Sequence, residues 1–148
     1  MNKNPTLNTS GCKDMTAYEA ISNVSRAEKT EAGYKPEPPM IYICSPLAGD
    51  IETNVANALK YCRFAVEHGY FPIAPHCYLP RFMNDGDPAE RELAMSFGLR
   101  LLSGCRELWI FGSRLSEGMK REVLAAKWRG IKIKQFSEKI KKQRRDLQ

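Results

Sequence analysis

The sequence predicts an α/β domain, a short parallel sheet of four to five strands in three layers with helices on both faces. Three observations predict it. Brief β-branched and aromatic runs alternate with stretches of helical period, Gly, Pro, Asn and Asp mark the junctions, and 148 residues suffice for one domain with a real core.

Residues 1 to 38 are expected to be a flexible N-terminal extension. Asn, Thr, Ser, Lys and Glu dominate it, there is room for a short helix around Thr16 to Glu28, and the Pro-rich KPEPP closes it. The ordered domain is expected over 39 to 136, and a basic C-terminal tail over 137 to 148. From Met40, MIYICS lies between PEPP and PLAGD and reads as a buried strand. IETNVANALKYCRFAVEHG follows, with Val55, Leu59, Cys62, Phe64 and Val66 giving an amphipathic helix that Gly69 ends. YFPIAPH, interrupted by prolines, reads as a second strand that stops early.

CYLPRFMNDGDP is dense in turn formers, and loops of this length inside a compact domain are often functional. Asp87 or Pro88 opens a second helix with Leu93, Phe97, Leu101 and Leu102 at helical spacing. ELWIFG is a third strand, SEGMKREVLAAKWRG a third helix closed by Gly130, and IKIKQF an alternating strand suited to a sheet edge. The order β-α-β-α-β-α-β implies right-handed crossovers, parallel pairing and a flavodoxin-like arrangement.

Composition narrows the function classes. No apolar run reaches the length of a membrane span. The N-terminal MNKNPTLNTSGCKDMT has no secretory h-region, so a cytoplasmic location is expected. Cys12, Cys44, Cys62, Cys77 and Cys105 are odd in number and form neither a CxxC pair nor a Cys/His ligand cluster, so no structural metal is expected. Cys44, Cys62 and Cys105 sit in apolar segments and read as buried reduced thiols. The net charge of +6 is concentrated in KIKQFSEKIKKQRRDLQ, whose final charges have no interleaved aromatics. That pattern fits a solvated terminal segment better than a nucleic-acid surface.

In an open parallel sheet, ligands sit beyond the carboxyl ends of the strands. Three segments fall there. Ser45-Pro-Leu-Ala-Gly-Asp50 leads straight into a helix, where Gly49 permits close backbone approach and the first amides suit an anion, with Ser45 and Asp50 beside it. It matches neither a P-loop nor GxGxxG, and an ordinary strand-to-helix turn explains it equally well. His76 to Asp87 follows the second strand. Gly112 to Glu122 follows the third: Ser116 caps the helix, Gly118 bares its first turn beside Met119, and Glu122 lies one turn on, on the same face. A carboxylate there suits attack on an anomeric carbon, although a Glu in a second turn is more often solvated.

MIYICSPLAGD, CRELWIFG and SEGMKREVLAAKWRGIKI together resemble the nucleoside 2-deoxyribosyltransferase-like superfamily, and within it the small domain-of-unknown-function branch of bacteria and phages. The resemblance covers Met40 to Phe136. It implies that Glu122 is a nucleophile that takes the sugar from the base and that Tyr42, on the first strand, orients its carboxylate. Ser45 and Gly49 are implied to hold the 5′-hydroxyl or phosphate, with Ser116 and Gly118 lining the same pocket. It implies no cofactor, and a homodimer or higher homo-oligomer. The sequence departs from the superfamily in one respect: no aspartate stands around Gly98 to Arg100, where one usually reads or protonates the base. The acid for the leaving base must then come from Asp85, Asp87, Glu90, Glu92 or His76.

Among the arginines that could bind phosphate, Arg81, Arg91 and Arg100, Arg91 is the preferred one because it lies near a helix start. Trp109, Phe111 and Phe64 read as core, and Trp128 as packing or a subunit contact. The function expected is an N-glycosidase or deoxyribosyltransferase acting on a nucleoside or nucleotide. The alternative is a non-catalytic module that senses or sequesters a nucleotide. Neither a membrane nor a nucleic-acid partner is expected.

Overall fold

The computed structural model describes residues 36–140. The chain divides into two units, Met1–Glu37 and Pro38–Gln148, and the sheet and its helices belong to the second. The expected N-terminal extension, and most of the expected basic tail, lie outside the described residues. Among those described, no helix is long and apolar enough to cross a membrane.

Four strands form one parallel sheet: β1 (Met40–Cys44), β2 (Phe71–Ile73), β3 (Glu107–Phe111) and β4 (Lys132–Phe136), in the order β2-β1-β3-β4. The connecting helices are α1 (Ile51–Glu67), α2 (Pro88–Leu102) and α3 (Glu117–Trp128). From β1 the chain steps to one side through α1, then returns across β1 through α2 and continues outward through α3. With right-handed crossovers that reversal puts α1 on one face and α2 with α3 on the other. The predicted three-layer, flavodoxin-like class is the observed one.

Strand parity divides the core. Ile41, Ile43, Trp109 and Phe111 turn toward α1, where Tyr61 stacks on Phe111 at 4.1 Å between ring centroids and Ala65 fills in. Tyr42, Cys44, Leu108 and Ile110 turn the other way, toward Leu102, Met119, Val123 and Ala126. All of β3 and all of β1 except Met40 are buried, which is why Ile41–Cys44 and Leu108–Phe111 read as apolar runs.

Two helix faces differ from expectation. In α1 the side against the sheet is Ala58, Tyr61 and Ala65, while Leu59 and Val66 are exposed. In α2 the buried residues are Gly98 and Leu102, while Leu93, Phe97 and Leu101 face outward. The reason is the same in each. Small side chains let a helix backbone approach the sheet closely, and bulk at those positions would hold it off. Trp128 is 83% exposed, so it packs against nothing in this unit. The expected second strand shrinks to Phe71–Ile73, and the loop after it contains two 3-10 turns, Pro75–Cys77 and Leu79–Arg81. Gly69 takes φ +82° just past α1, the conformation a glycine there provides without strain.

At the amino end of the sheet, Glu107 is buried and accepts hydrogen bonds from Trp109 Nε1 at 2.7 Å and Lys134 Nζ at 2.9 Å. Burial pushes its carboxyl up, and the bonds from Lys134 and Trp109 outweigh that and hold it below the ordinary range. Glu107→Ala strands the indole N–H and is expected to cost about 2 kcal/mol in urea unfolding. Glu107→Gln, which keeps an acceptor for Trp109, should cost less, and equal costs for the two would refute this role.

Candidate active site

The carboxyl ends of β1 and β3 open into a cleft partly open to solvent. Its floor is Tyr42 and Glu122. Ser45 and His76 come from the loops after β1 and β2, Ser116 and Met119 from the start of α3, and Arg91, Ala94, Met95 and Gly98 from one face of α2. Leu79, Pro80, Met83, Asn84 and Asp85, in and after the second 3-10 turn, form the remaining wall. Most of this lining is apolar.

The Tyr42 hydroxyl donates to Glu122 Oε1 at 2.8 Å. Burial raises the Glu122 carboxyl above its ordinary value, opposed by the hydrogen bond from Tyr42 and by the nearby Cys44 thiol, whose own hydrogen bond goes to the Met119 carbonyl at 4.0 Å. The same surroundings push Tyr42 and Cys44 upward, chiefly by burial, so both stay protonated as donors. Across the cleft, Ser45 Oγ lies 2.9 Å from His76 Nε2, and burial pushes the imidazole down to about 4. His76 is therefore neutral at pH 7.

The structure brings together Tyr42, Glu122, Ser45, His76, Arg91, Ser116 and Met119. It does not bring Gly49, Asp50, Asp87 or Gly118 to the cleft lining. Asp50 caps α1, accepting from Thr53 N at 3.1 Å and Thr53 Oγ1 at 2.7 Å. Gly49, at φ +94°, makes the turn before that cap, with open space where a Cβ would stand. Asp87 caps α2 through Ala89 N at 2.9 Å. A Cβ on Gly118 would lie 3.2 Å from Met95 Cε, so this glycine lets α2 and α3 approach. Ser116 has both places, capping α3 through Met119 N and lining the cleft.

Of the acids considered, His76, Asp85 and Glu90 line the cleft, whereas Glu92 is held by Arg121 in two hydrogen bonds at 2.6 and 2.8 Å. Arg91 lies 4.0 Å from Asp85 at the mouth. Arg81 and Arg100 do not reach it. Among the described residues no group of three or more His, Cys, Asp or Glu is placed to hold a metal ion.

Residues 39–136 match the family described as domain of unknown function DUF7768. The chain belongs to that family. In structure this DUF7768 chain is similar to the 2-deoxyribosyltransferase of the psychrotolerant bacterium Bacillus psychrosaccharolyticus, with a TM-score of 0.52 and 17% identity. The match covers 69% of this chain and 74% of that one. At such identity the likeness is one of fold, and the expected kinship with the deoxyribosyltransferases holds at that level. No curated protein matches the chain.

The residue that sequence reasoning missed is Gly98. A Cβ there would stand 2.9 Å from the Tyr42 hydroxyl oxygen, closer than real Cβ atoms come. The available signal was a glycine inside a helix, where it costs about 1 kcal/mol relative to Ala and so calls for a packing reason. Gly98→Ala is expected to lower stability by roughly 1–2 kcal/mol in urea unfolding, although helix propensity favours it. A neutral or stabilising result would mean that Tyr42 does not need that space.

Proposed function

We propose that this DUF7768 chain is a nucleoside or nucleotide N-glycosidase or deoxyribosyltransferase in which Glu122 is the nucleophile. The observation that carries the reading is the half-buried carboxylate of Glu122, held by the Tyr42 hydroxyl at 2.8 Å in a mostly apolar cleft. A carboxylate with one oxygen fixed presents the other to a sugar carbon, and apolar walls strengthen its attraction for developing oxocarbenium charge. The likeness in fold to a 2-deoxyribosyltransferase adds support.

On this reading a Glu122 oxygen attacks the anomeric carbon, the bond from that carbon to the base nitrogen breaks, and its electron pair leaves with the base. Water then releases the sugar from the glycosyl ester, or a second base takes it, and either regenerates the carboxylate. Tyr42 positions Glu122. Ser45 and His76 face the sugar as a neutral hydrogen-bonding pair, and Arg91 suits a 5′-phosphate at the mouth. Protonation of the leaving base falls to one of the acids that line the cleft, His76, Asp85 or Glu90. A homo-oligomer belongs to the same proposal, with the exposed Leu93, Phe97 and Leu101 of α2 as apolar surface for a second copy. Light scattering that finds only monomer would remove that part.

Free-base release from ribo- and deoxyribonucleosides and their 5′-monophosphates, with and without an acceptor base, tests the reading. Glu122→Gln should lower release roughly 10³-fold or more while leaving a folded protein. Tight nucleotide binding with no release from any substrate would replace this reading by the non-catalytic nucleotide-binding module.

The pH profile makes a second test. The reaction needs Glu122 ionised, and its raised pKa means activity falls, as pH drops, above the range of an ordinary Glu. Removing a bond that favours the carboxylate raises that pKa further, so Tyr42→Phe should move the acid limb to higher pH and lower kcat/KM roughly 10-fold or more. An unchanged acid limb would mean that Glu122 is not the group titrating.

A further inference from the structure

The loop from Ser45 to Asp50 joins β1 to α1, and its Leu47 and Ala48 line the cleft. A side chain that does not line the cleft ties this loop down. Asn54, half-buried near the start of α1, donates from Nδ2 to the Leu47 carbonyl at 3.0 Å and to the Ala48 carbonyl at 3.1 Å. Two carbonyl acceptors on one atom require the amide nitrogen there, with one N–H for each. Gly49 makes the reach possible. Its φ of +94° turns the chain, and Asp50 then fixes the helix start through Thr53. At its other end the loop is held by the bond between Ser45 Oγ and His76 Nε2 at 2.9 Å. Between those two anchors, Asn54 is the one side chain among the described residues that bonds the loop's backbone.

The residue type agrees with the geometry. Asn is a poor residue inside a helix because its amide competes for nearby backbone groups, and here the groups it takes belong to the preceding loop. The clip also orients peptides. In a trans peptide the carbonyl and the N–H that follows it point opposite ways, and no peptide among the described residues is cis. Turning the Leu47 and Ala48 carbonyls onto Asn54 therefore turns the N–H groups of Ala48 and Gly49 away from it.

We propose that Asn54 is a positioning residue for the cleft, one that fixes Leu47 and Ala48 as a wall and so sets where the sugar of a bound nucleoside lies relative to Glu122. Asn54 acts only through the loop, since neither Tyr42 nor Glu122 bonds to it. Its loss is therefore felt as looser binding, with the titration of Glu122 unchanged. The effect on turnover rests on the glycosidic reading, whereas the effect on the loop does not.

The test compares the parent chain with Asn54→Ala and Asn54→Asp. Alanine favours the helix, and aspartate keeps the shape of asparagine while putting an oxygen where the donor stood. By NMR relaxation, the backbone order parameters of Leu47 and Ala48 should fall from about 0.85 in the parent to below about 0.6 in both variants, with those of β1 unchanged. In nucleoside cleavage, KM should rise roughly 10-fold, kcat should fall less, and the acid limb of the pH profile should stay in place. A loop already mobile in the parent, parent-like order parameters in both variants, or a parent-like KM where nucleosides are cleaved overturns the proposal. If the parent cleaves no nucleoside or nucleotide, the glycosidic reading fails instead, and the relaxation measurement alone decides whether Asn54 holds the loop.

Discussion

A carboxyl group taken out of water needs a partner, and the partner of Glu122 comes from a strand 80 residues away in sequence. That one hydrogen bond constrains much of the architecture. It requires β1 to lie beside β3, because α3 leaves the carboxyl end of β3 and must pass over β1's neighbourhood within its first turns. It requires Tyr42 on the face turned toward α2 and α3, which fixes Ile41 and Ile43 on the other. It also requires α2 to cross the Tyr42 hydroxyl without a side chain at position 98. The strand order, the parity of β1 and the glycine of α2 serve the same contact.

The electrostatics of the cleft follow from how its polar groups are spaced. Glu122 is half-buried, and its more deeply buried neighbours Tyr42 and Cys44 are both kept protonated by burial. They favour its charged form without neutralising it, as an ion pair would. The cation, Arg91, stands at the mouth instead, near Asp85. A negative floor, apolar walls and a positive rim would hold a polar group outward and leave a carbon centre facing the carboxylate. His76, kept neutral beside Ser45, adds hydrogen-bonding capacity to this field without adding charge.

Much of this was legible in the residues, and where it was not the reasons are physical. Strands read well because β1 and β3 are buried on both faces, so Ile41–Cys44 and Leu108–Phe111 form apolar runs. Helix starts read well too, but Asp50 and Asp87 show the ambiguity of such signals. A short acidic side chain before a helix serves a cap as readily as a ligand, and here both serve caps. Helix faces read poorly because periodicity marks bulky apolar residues, while α1 and α2 meet the sheet through Ala58, Ala65 and Gly98. The cleft wall from Leu79 to Asp85 lay in a segment with no periodic pattern, so its composition announced a loop without saying which side chains turn inward.

Gly98 also bears on the acid that the resemblance to deoxyribosyltransferases leads one to expect around positions 98 to 100. A side chain at 98 would collide with the Tyr42 hydroxyl, and Leu99 and Arg100 are turned away from the cleft lining. As α2 is seated, this part of the helix cannot present an acid to a bound base without moving Tyr42, and moving Tyr42 would leave Glu122 without its donor. The candidate acids that do line the cleft, His76, Asp85 and Glu90, stand in the loop before α2 or where it enters the helix, two helical turns or more before Gly98. On the glycosidic reading, the nucleophile and its positioning residue belong to the rigid sheet and α3, whereas the acid belongs to the loop wall. Base selectivity would then depend on the segment from Leu79 to Arg91 more than on the strands, and the orientation of Glu122 would be insulated from changes there.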